Sequence, residues 1–334
     1  MSNDYKIQGR PWSIQIELSL GCSKLCSFCG LSSVYGNGGV YDSGKNTTAA
    51  PFFFMTPEIA TQLADQCAEF IPTVRYEFAM HGEPTLNPNY LEIFKIFRDR
   101  LPKAQMQLTT NGVRMRRGAM QEVVRSILDS GIDFIILDTY EPERTELIAD
   151  ALKLEDVKVI DYYAQPKGSD VSPWHNHHRS LNNTVIIMDD ISLHNGEKKN
   201  RVIYNHAGNA LGVPIPDKPL EKRCTLPFRE ITVTWDGSVN ICCMDFASEL
   251  KLGNITERSL KEIWFGPEFM AVRAFLYNKN RGFTPCSRCN YGGGARVGLL
   301  APHEEPSEEQ KKLVRELVMS NTTKLNKFDR EVHF

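Results

Sequence analysis

The chain contains no run of eighteen apolar residues, so no membrane-spanning helix is expected. Its first residues, MSNDYKIQGR, lack the apolar core of a secretory signal. Without an export signal the expected location is the cytoplasm, a reducing compartment where clustered thiols bind metal more often than they form disulfides. Excess charge of either sign is also missing. Lys and Arg total 39 against 41 Asp and Glu, for a net charge near −2. That argues against a general nucleic-acid binder and leaves room only for a local basic groove. No internal repeat occurs. The nine cysteines are an odd number and fit disulfide bookkeeping poorly. The 334 residues suffice for one large α/β domain, or one with a smaller companion.

What is present first is an alternation of strand-like and helix-like runs. Trp12 to Leu18 and Val74 to Met80 alternate apolar and polar residues at period two. Shorter strand candidates are Gln105–Thr109, Asp133–Asp138, Val157–Tyr162 and Thr184–Asp190. Between the first two strands a helix is predicted, with Thr56 as N-cap and Pro57 as its first residue. Ile59, Leu63, Cys67 and Phe70 share its inner face, so Cys67 reads as a core thiol. A second helix over Tyr90–Leu101 turns Leu91, Phe94, Phe97 and Leu101 inward. Strands interleaved with helices predict a parallel sheet curling toward a barrel. Near residue 220 the pattern changes to a β-hairpin turning at Asp236-Gly237. Helices are predicted near Ser259–Phe265 and Pro267–Asn278, then a C-terminal one behind a Ser307/Gln310 capping box. The stretch Gly30–Pro51 reads as a loop over a site, and Gly292–Arg296 as a flexible joint.

The run GCSKLCSFCG places Cys22, Cys26 and Cys29 in one short loop directly after the first strand. Thiolates are soft ligands for iron–sulfur clusters and zinc. Closed structural zinc wants four ligands; a cubane held at three irons leaves the fourth open. Zinc with a distant fourth ligand stays possible on spacing alone. Position favours the cluster. His81–Thr85 (HGEPT) follows the second strand, Thr109–Gly112 (TTNG) the third, and Asp138-Thr139 ends the fourth. Active sites of parallel barrels lie at the C-terminal strand ends, where these motifs would converge.

CSKLCSFC, GEP and TTNG, in that order and each after a strand, resemble the radical S-adenosylmethionine (SAM) enzymes over about residues 10–200. The resemblance implies a partial (β/α)6 TIM barrel. It also implies a [4Fe–4S] cluster on Cys22, Cys26 and Cys29 whose open iron chelates the methionine moiety of SAM. By the same resemblance Phe28 lies near the adenine, Gly82, Glu83 and Pro84 hold the methionine amino group, and Asn111 and Asp138 contact the nucleoside. His81 stands where the family often has a second glycine. The protein's role in such chemistry is to position the cofactor and exclude water.

Five cysteines remain besides Cys67: Cys224, Cys242, Cys243, Cys286 and Cys289. Hairpin parity puts Val239, Ile241 and Cys243 on an apolar face and Cys242 on the other, so Cys224, Cys242, Cys286 and Cys289 form the expected ligand set. Four thiolates suit structural zinc as well as a fully ligated cluster. The run from Cys224 through LGNI, SLKEIW and CSRC resembles the SPASM/twitch extension of radical SAM enzymes, in its shorter form with one auxiliary [4Fe–4S] cluster. The expected architecture is therefore a barrel over 10–205, a small α+β twitch domain over 218–295 and a helical tail over 300–334.

The expected function is hydrogen abstraction from an unactivated carbon by a 5′-deoxyadenosyl radical. Oxidation through the auxiliary cluster follows, with a small sugar- or cyclitol-like metabolite as substrate. Radical modification of a ribosomally made peptide or of a nucleotide is the alternative. A non-catalytic zinc or iron–sulfur protein is the rival class. The resemblance also implies a flavodoxin- or ferredoxin-like electron donor. Only about ten residues precede the first strand, which favours a small substrate over a leader-guided peptide. The histidines of WHNHH (Trp174–His178), with Arg179, Asp190 and Arg201, read as polar groups near the barrel mouth. NHAGNAL (Asn205–Leu211) resembles a link that precedes twitch domains. No single residue is identified as catalytic.

Overall fold

A computed structural model describes residues 9–24, 26, 28–34, 52–115, 119–139, 148, 156–161, 181–188, 204–210, 212–293 and 304–321. The WHNHH histidines, Arg179, Asp190, Arg201 and the end of the Gly292–Arg296 joint lie outside the described residues. So does most of the Gly30–Pro51 stretch, but its first part is corrected from loop to helix, α1 (Gly30–Val34). No helix among the described residues is long and apolar enough to cross a membrane.

The chain forms α/β layers around a nine-stranded sheet. Its strands are β1 (Ser13–Ile16), β4 (Arg75–Phe78), β5 (Gln105–Thr110), β6 (Phe134–Asp138), β7 (Lys158–Asp161), β8 (Thr184–Met188), β9 (Glu230–Val233), β10 (Ser238–Asn240) and β11 (Lys251–Asn254). They lie in the order β11-β10-β9-β1-β4-β5-β6-β8-β7. The run from β9 to β7 is parallel, and β10 and β11 add an antiparallel meander. A short ribbon pairs β2 (Ser19–Leu20) with β3 (Phe53–Phe54).

Period-two alternation in these strands has a specific cause. One face carries Ile14, Tyr76, Met106 and Ile135, all fully buried under helices. The other carries Thr232, Gln15, Glu77 and Gln107 in one register row. A parallel sheet covered by helices on both faces reads as unbroken apolar runs; a polar lumen breaks them. Beyond β5 the inner face turns apolar, with Phe134, Ile136, Ile160, Ile186 and Met188 in a separate cluster.

On the outer face, α2 (Pro57–Phe70) begins where expected, with the Thr56 hydroxyl accepting from the Ile59 amide. Its buried face is Ala60, Leu63, Ala64, Cys67 and Phe70, whereas Ile59 is only partly covered. Next to it α3 (Tyr90–Arg100) seats Phe94 and Phe97 against Phe78, ring centroids 4.8 and 5.2 Å away. The helix α4 (Met120–Asp129) follows β5.

The hairpin beyond residue 220 joins the barrel's own first strand: β9 runs parallel to β1, with Gln15 opposite Thr232. Its turn uses Gly237 at φ +80°, a backbone that a side chain disfavours. Helices α5 (Leu226–Arg229), α6 (Leu260–Trp264) and α7 (Pro267–Tyr277) complete this part, and α8 (Glu308–Ser320) packs on α7. Both α6 and α8 start with full capping boxes, Ser259/Glu262 and Ser307/Gln310.

Candidate active site

The first cysteine loop leaves β1 through Glu17 and the β2–β3 ribbon. Cys22, Cys26 and Cys29 are all partly buried free thiols. The Lys24 amide and the Asn111 side-chain amide both donate to Cys22 Sγ, at 3.4 and 3.2 Å. Burial, and then the Glu83 charge, push the Cys22 thiol up to about 12; burial also raises Cys29. In the metal-free chain these thiols keep their protons, and metal loading displaces them. Phe28 lies half-buried in the turn before Cys29.

Beside this loop runs the HGEP segment. A Cβ on Gly82 would sit 1.9 Å from the Ser19 carbonyl oxygen and 2.7 Å from that of Gly21. No side chain fits there. Gly82→Ala is expected to displace the segment, destabilising the protein by about 1–3 kcal/mol, read by thermal melting.

The Glu83 carboxylate accepts four hydrogen bonds: from the Thr85 amide (3.0 Å), the Thr85 and Thr110 hydroxyls (2.6 Å each) and the Asn111 amide (2.7 Å). Four is about the acceptor capacity of a carboxylate. Its side chain therefore welds HGEP to TTNG, and the Glu83 amide ties the segment to the Gly21 carbonyl at 2.9 Å. Pro84 opens a short 3-10 helix that Glu83 caps.

Asp138, at the end of β6, lies close enough to feel the same carboxylate. Burial, then the Glu83 charge, raise its carboxyl from 3.8 to about 7. The folded value exceeds the unfolded one, so this group lowers stability as pH rises from about 4 through 7. Asp138→Asn stays uncharged. Its melting temperature relative to the unmodified protein is expected to gain between about pH 5 and pH 8; a constant offset would contradict the assignment.

His81 fits where a smaller residue was expected. Its Nδ1 lies 3.0 Å from Glu17 Oε1, off the line of a good hydrogen bond, and its Nε2 lies 3.1 Å from the Cys243 carbonyl. Its ring tilts against Phe246 at 4.4 Å, and Phe246 stacks on His206 at 4.1 Å. His206 Nδ1 accepts from the Gly30 amide at 2.9 Å; burial and the neighbouring His81 lower this imidazole to about 3, so it is neutral. Glu17, His81, Phe246 and His206 thus tie the first cysteine loop to the segment after Cys242. Sequence reasoning missed this link, and the NHAGN run was its one visible trace.

Cys224, Cys242, Cys286 and Cys289 all line one small cavity of about 20 Å³. Cys243 turns away, toward Glu230, Glu77, Arg229 and Gln15. Parity therefore reached the observed division for another reason. The strand ends at Asn240, and Cys243 enters the polar lumen instead of an apolar face. Burial raises all four thiols of the cavity, Cys224 to about 11. Thiolates on one tetrahedral zinc would crowd to about 3.8 Å apart. Among the described residues no three His, Cys, Asp or Glu converge on a single-ion site. The donor set fits a cubane, which spreads its ligands over four irons.

Comparison with known proteins agrees with this geometry. The Radical SAM superfamily model matches residues 16–163, and the model of SPASM, an iron–sulfur cluster-binding domain, matches residues 224–290. The chain carries a radical SAM domain followed by a SPASM domain. As a radical SAM enzyme it uses SAM with a SAM-binding and an auxiliary [4Fe–4S] cluster. It is similar to the S-adenosyl-L-methionine-dependent 2-deoxy-scyllo-inosamine dehydrogenase of Niallia circulans, with 23% identity over 278 residues, 83% of this chain and 92% of that one. The crystal structure of BtrN with AdoMet and 2-DOIA shares the fold at TM-score 0.57 and 20% identity, covering 84% of this chain and 93% of that one. An open conformation of BtrN gives TM-score 0.52 and 19% identity, covering 84% and 92%.

Proposed function

We propose that this radical SAM enzyme oxidises a hydroxyl-bearing carbon of a small cyclitol- or sugar-like metabolite to a ketone. Cys22, Cys26 and Cys29 hold the SAM-binding cluster, and Cys224, Cys242, Cys286 and Cys289 the auxiliary one. Gly82, Glu83 and Pro84 hold the methionine amino group; Phe28, Asn111 and Asp138 flank the nucleoside. The barrel spans 10–205, the twitch part 218–295 and the tail 300–334. A flavodoxin- or ferredoxin-like protein supplies the first electron.

The observation that carries this reading is the auxiliary cavity with four thiols around it. A cluster with every iron taken by cysteine can accept an electron but has no corner left for a substrate. With SAM bound, the cluster on Cys22, Cys26 and Cys29 would supply radical chemistry able to remove a hydrogen atom from the substrate carbon. Completing the ketone would then need loss of one proton and one electron, and a cluster on Cys224, Cys242, Cys286 and Cys289 would be the electron acceptor. The protein supplies placement. Glu83 locks the two strand-end motifs, Asn111 steadies Cys22, and the row Gln15, Glu77, Gln107 lines the lumen with groups that bind hydroxyls. Gln107 Oε1 is buried without a partner, an acceptor that a substrate hydroxyl would satisfy. The dehydrogenase relative supports the substrate class.

The test is anaerobic incubation of reduced holoenzyme with SAM and a panel of amino- and deoxy-inositols deuterated at the carbinol carbon. A ketone in step with deuterated 5′-deoxyadenosine is expected. If no member yields a ketone, or the deuterium stays on the substrate, the substrate class is wrong.

A further inference from the structure

Arg281 lines the four-cysteine cavity and is only 2% exposed. Its guanidinium donates to three main-chain carbonyls: Nε to Lys222 (2.8 Å), Nη1 to Tyr291 (2.6 Å) and Nη2 to Arg223 (3.0 Å). These bonds give each guanidinium nitrogen one partner and leave its charge uncompensated. None of the ion pairs among the described residues includes Arg281, whereas its charged neighbours around the cavity are paired. Arg288 pairs with Glu249, and Arg229 with Glu230. Asp245 is held by the Glu249 and Leu250 amides. A buried cation normally has a counter-charge. The groups that share the cavity with Arg281 are thiols: Cys224, Cys242, Cys286 and Cys289 line it too.

We propose that Arg281 is a positioning residue whose charge sets the reduction potential of the auxiliary cluster, making it a better acceptor of the substrate electron. A four-thiolate cubane is anionic and gains a further negative charge on reduction. A fixed cation in the same low-dielectric cavity favours the reduced form more than the oxidised one. The carbonyl cage matters because it holds that cation still without neutralising it. Arginine suits the task because it stays charged when buried and spreads its donors in a planar fork. The first cluster lies on another loop and should not respond.

The inference rests on the auxiliary-cysteine assignment proposed above, which an iron count tests separately. Arg281→Gln and Arg281→Lys holoenzymes are compared by redox titration monitored by electron paramagnetic resonance, with iron determined on the same samples. For Arg281→Gln the auxiliary cluster should lose at least tenfold in electron affinity, about 59 mV for one electron, with the first cluster unmoved. Arg281→Lys, which keeps the charge but not the fork, should stay within about threefold of the unmodified protein. With substrate, Arg281→Gln should still form 5′-deoxyadenosine but give less ketone per molecule of it. An unchanged auxiliary potential in Arg281→Gln overturns the proposal. So does an equal fall in both variants, which would mark a structural role of the carbonyl cage. Should Arg281→Gln fail to hold the auxiliary cluster, Arg281→Lys decides alone: a retained cluster at near-native potential supports the charge requirement, and its loss refutes it.

Discussion

Replacing Cys22 with alanine is expected to lower iron from about eight to about four per chain and to abolish 5′-deoxyadenosine formation. Two effects add. One corner of the SAM-binding cluster loses its ligand. Asn111 also loses the sulfur it donates to, at 3.2 Å, so the junction of the cysteine loop with TTNG loosens. The auxiliary set lies on other loops and should keep its iron. Iron analysis and chromatography of the SAM products check both parts. Iron unchanged at about eight, or undiminished SAM cleavage, would contradict the assignment of this loop.

Replacing Cys286 with alanine should separate the two halves of the reaction. The auxiliary cluster is lost and iron again falls to about four per chain, yet the first cluster remains. SAM cleavage in the presence of substrate should continue while ketone disappears, because the substrate radical has no acceptor for its electron. A second consequence is structural. Cluster binding contributes to folding wherever ligands converge only in the folded chain. The thiols come from residues 224, 242, 286 and 289, which only the tertiary structure assembles. A lower melting temperature is therefore expected than for Cys22→Ala, whose three ligands sit in one short loop. Ketone formation at the unmodified rate would show that the auxiliary site is not the electron acceptor.

These expectations draw unequally on sequence and on structure. Thr56, Ser259 and Ser307 announced their helices because capping is local: the hydroxyl and the amide it serves are within three residues. Cys67 could be placed in the core from helical spacing alone, and it is fully buried. Strand order is another matter. Val157–Tyr162 and Thr184–Asp190 look alike as apolar runs, yet β8 lies between β6 and β7. All five residues of β8 are buried, which suits the interior of the sheet; β7 opens on Lys158 and tolerates the edge. Parity misjudged only the surroundings of Cys243, because it assumes a strand that continues, and β10 ends three residues earlier.

The sequence by itself determined the chemistry of the first loop, the alternation that makes a parallel sheet, and the helix starts. Each is written in residues close together in the chain. Only the tertiary structure decided that Glu83 is consumed in joining two strand-end motifs and that His81 reaches the loop after Cys242. It alone put Arg281 beside four thiols, in no ion pair among the described residues. Those arrangements pair residues far apart in the chain. What selects them is the cost of burying charge and unpaired polar groups, which no short window of sequence contains.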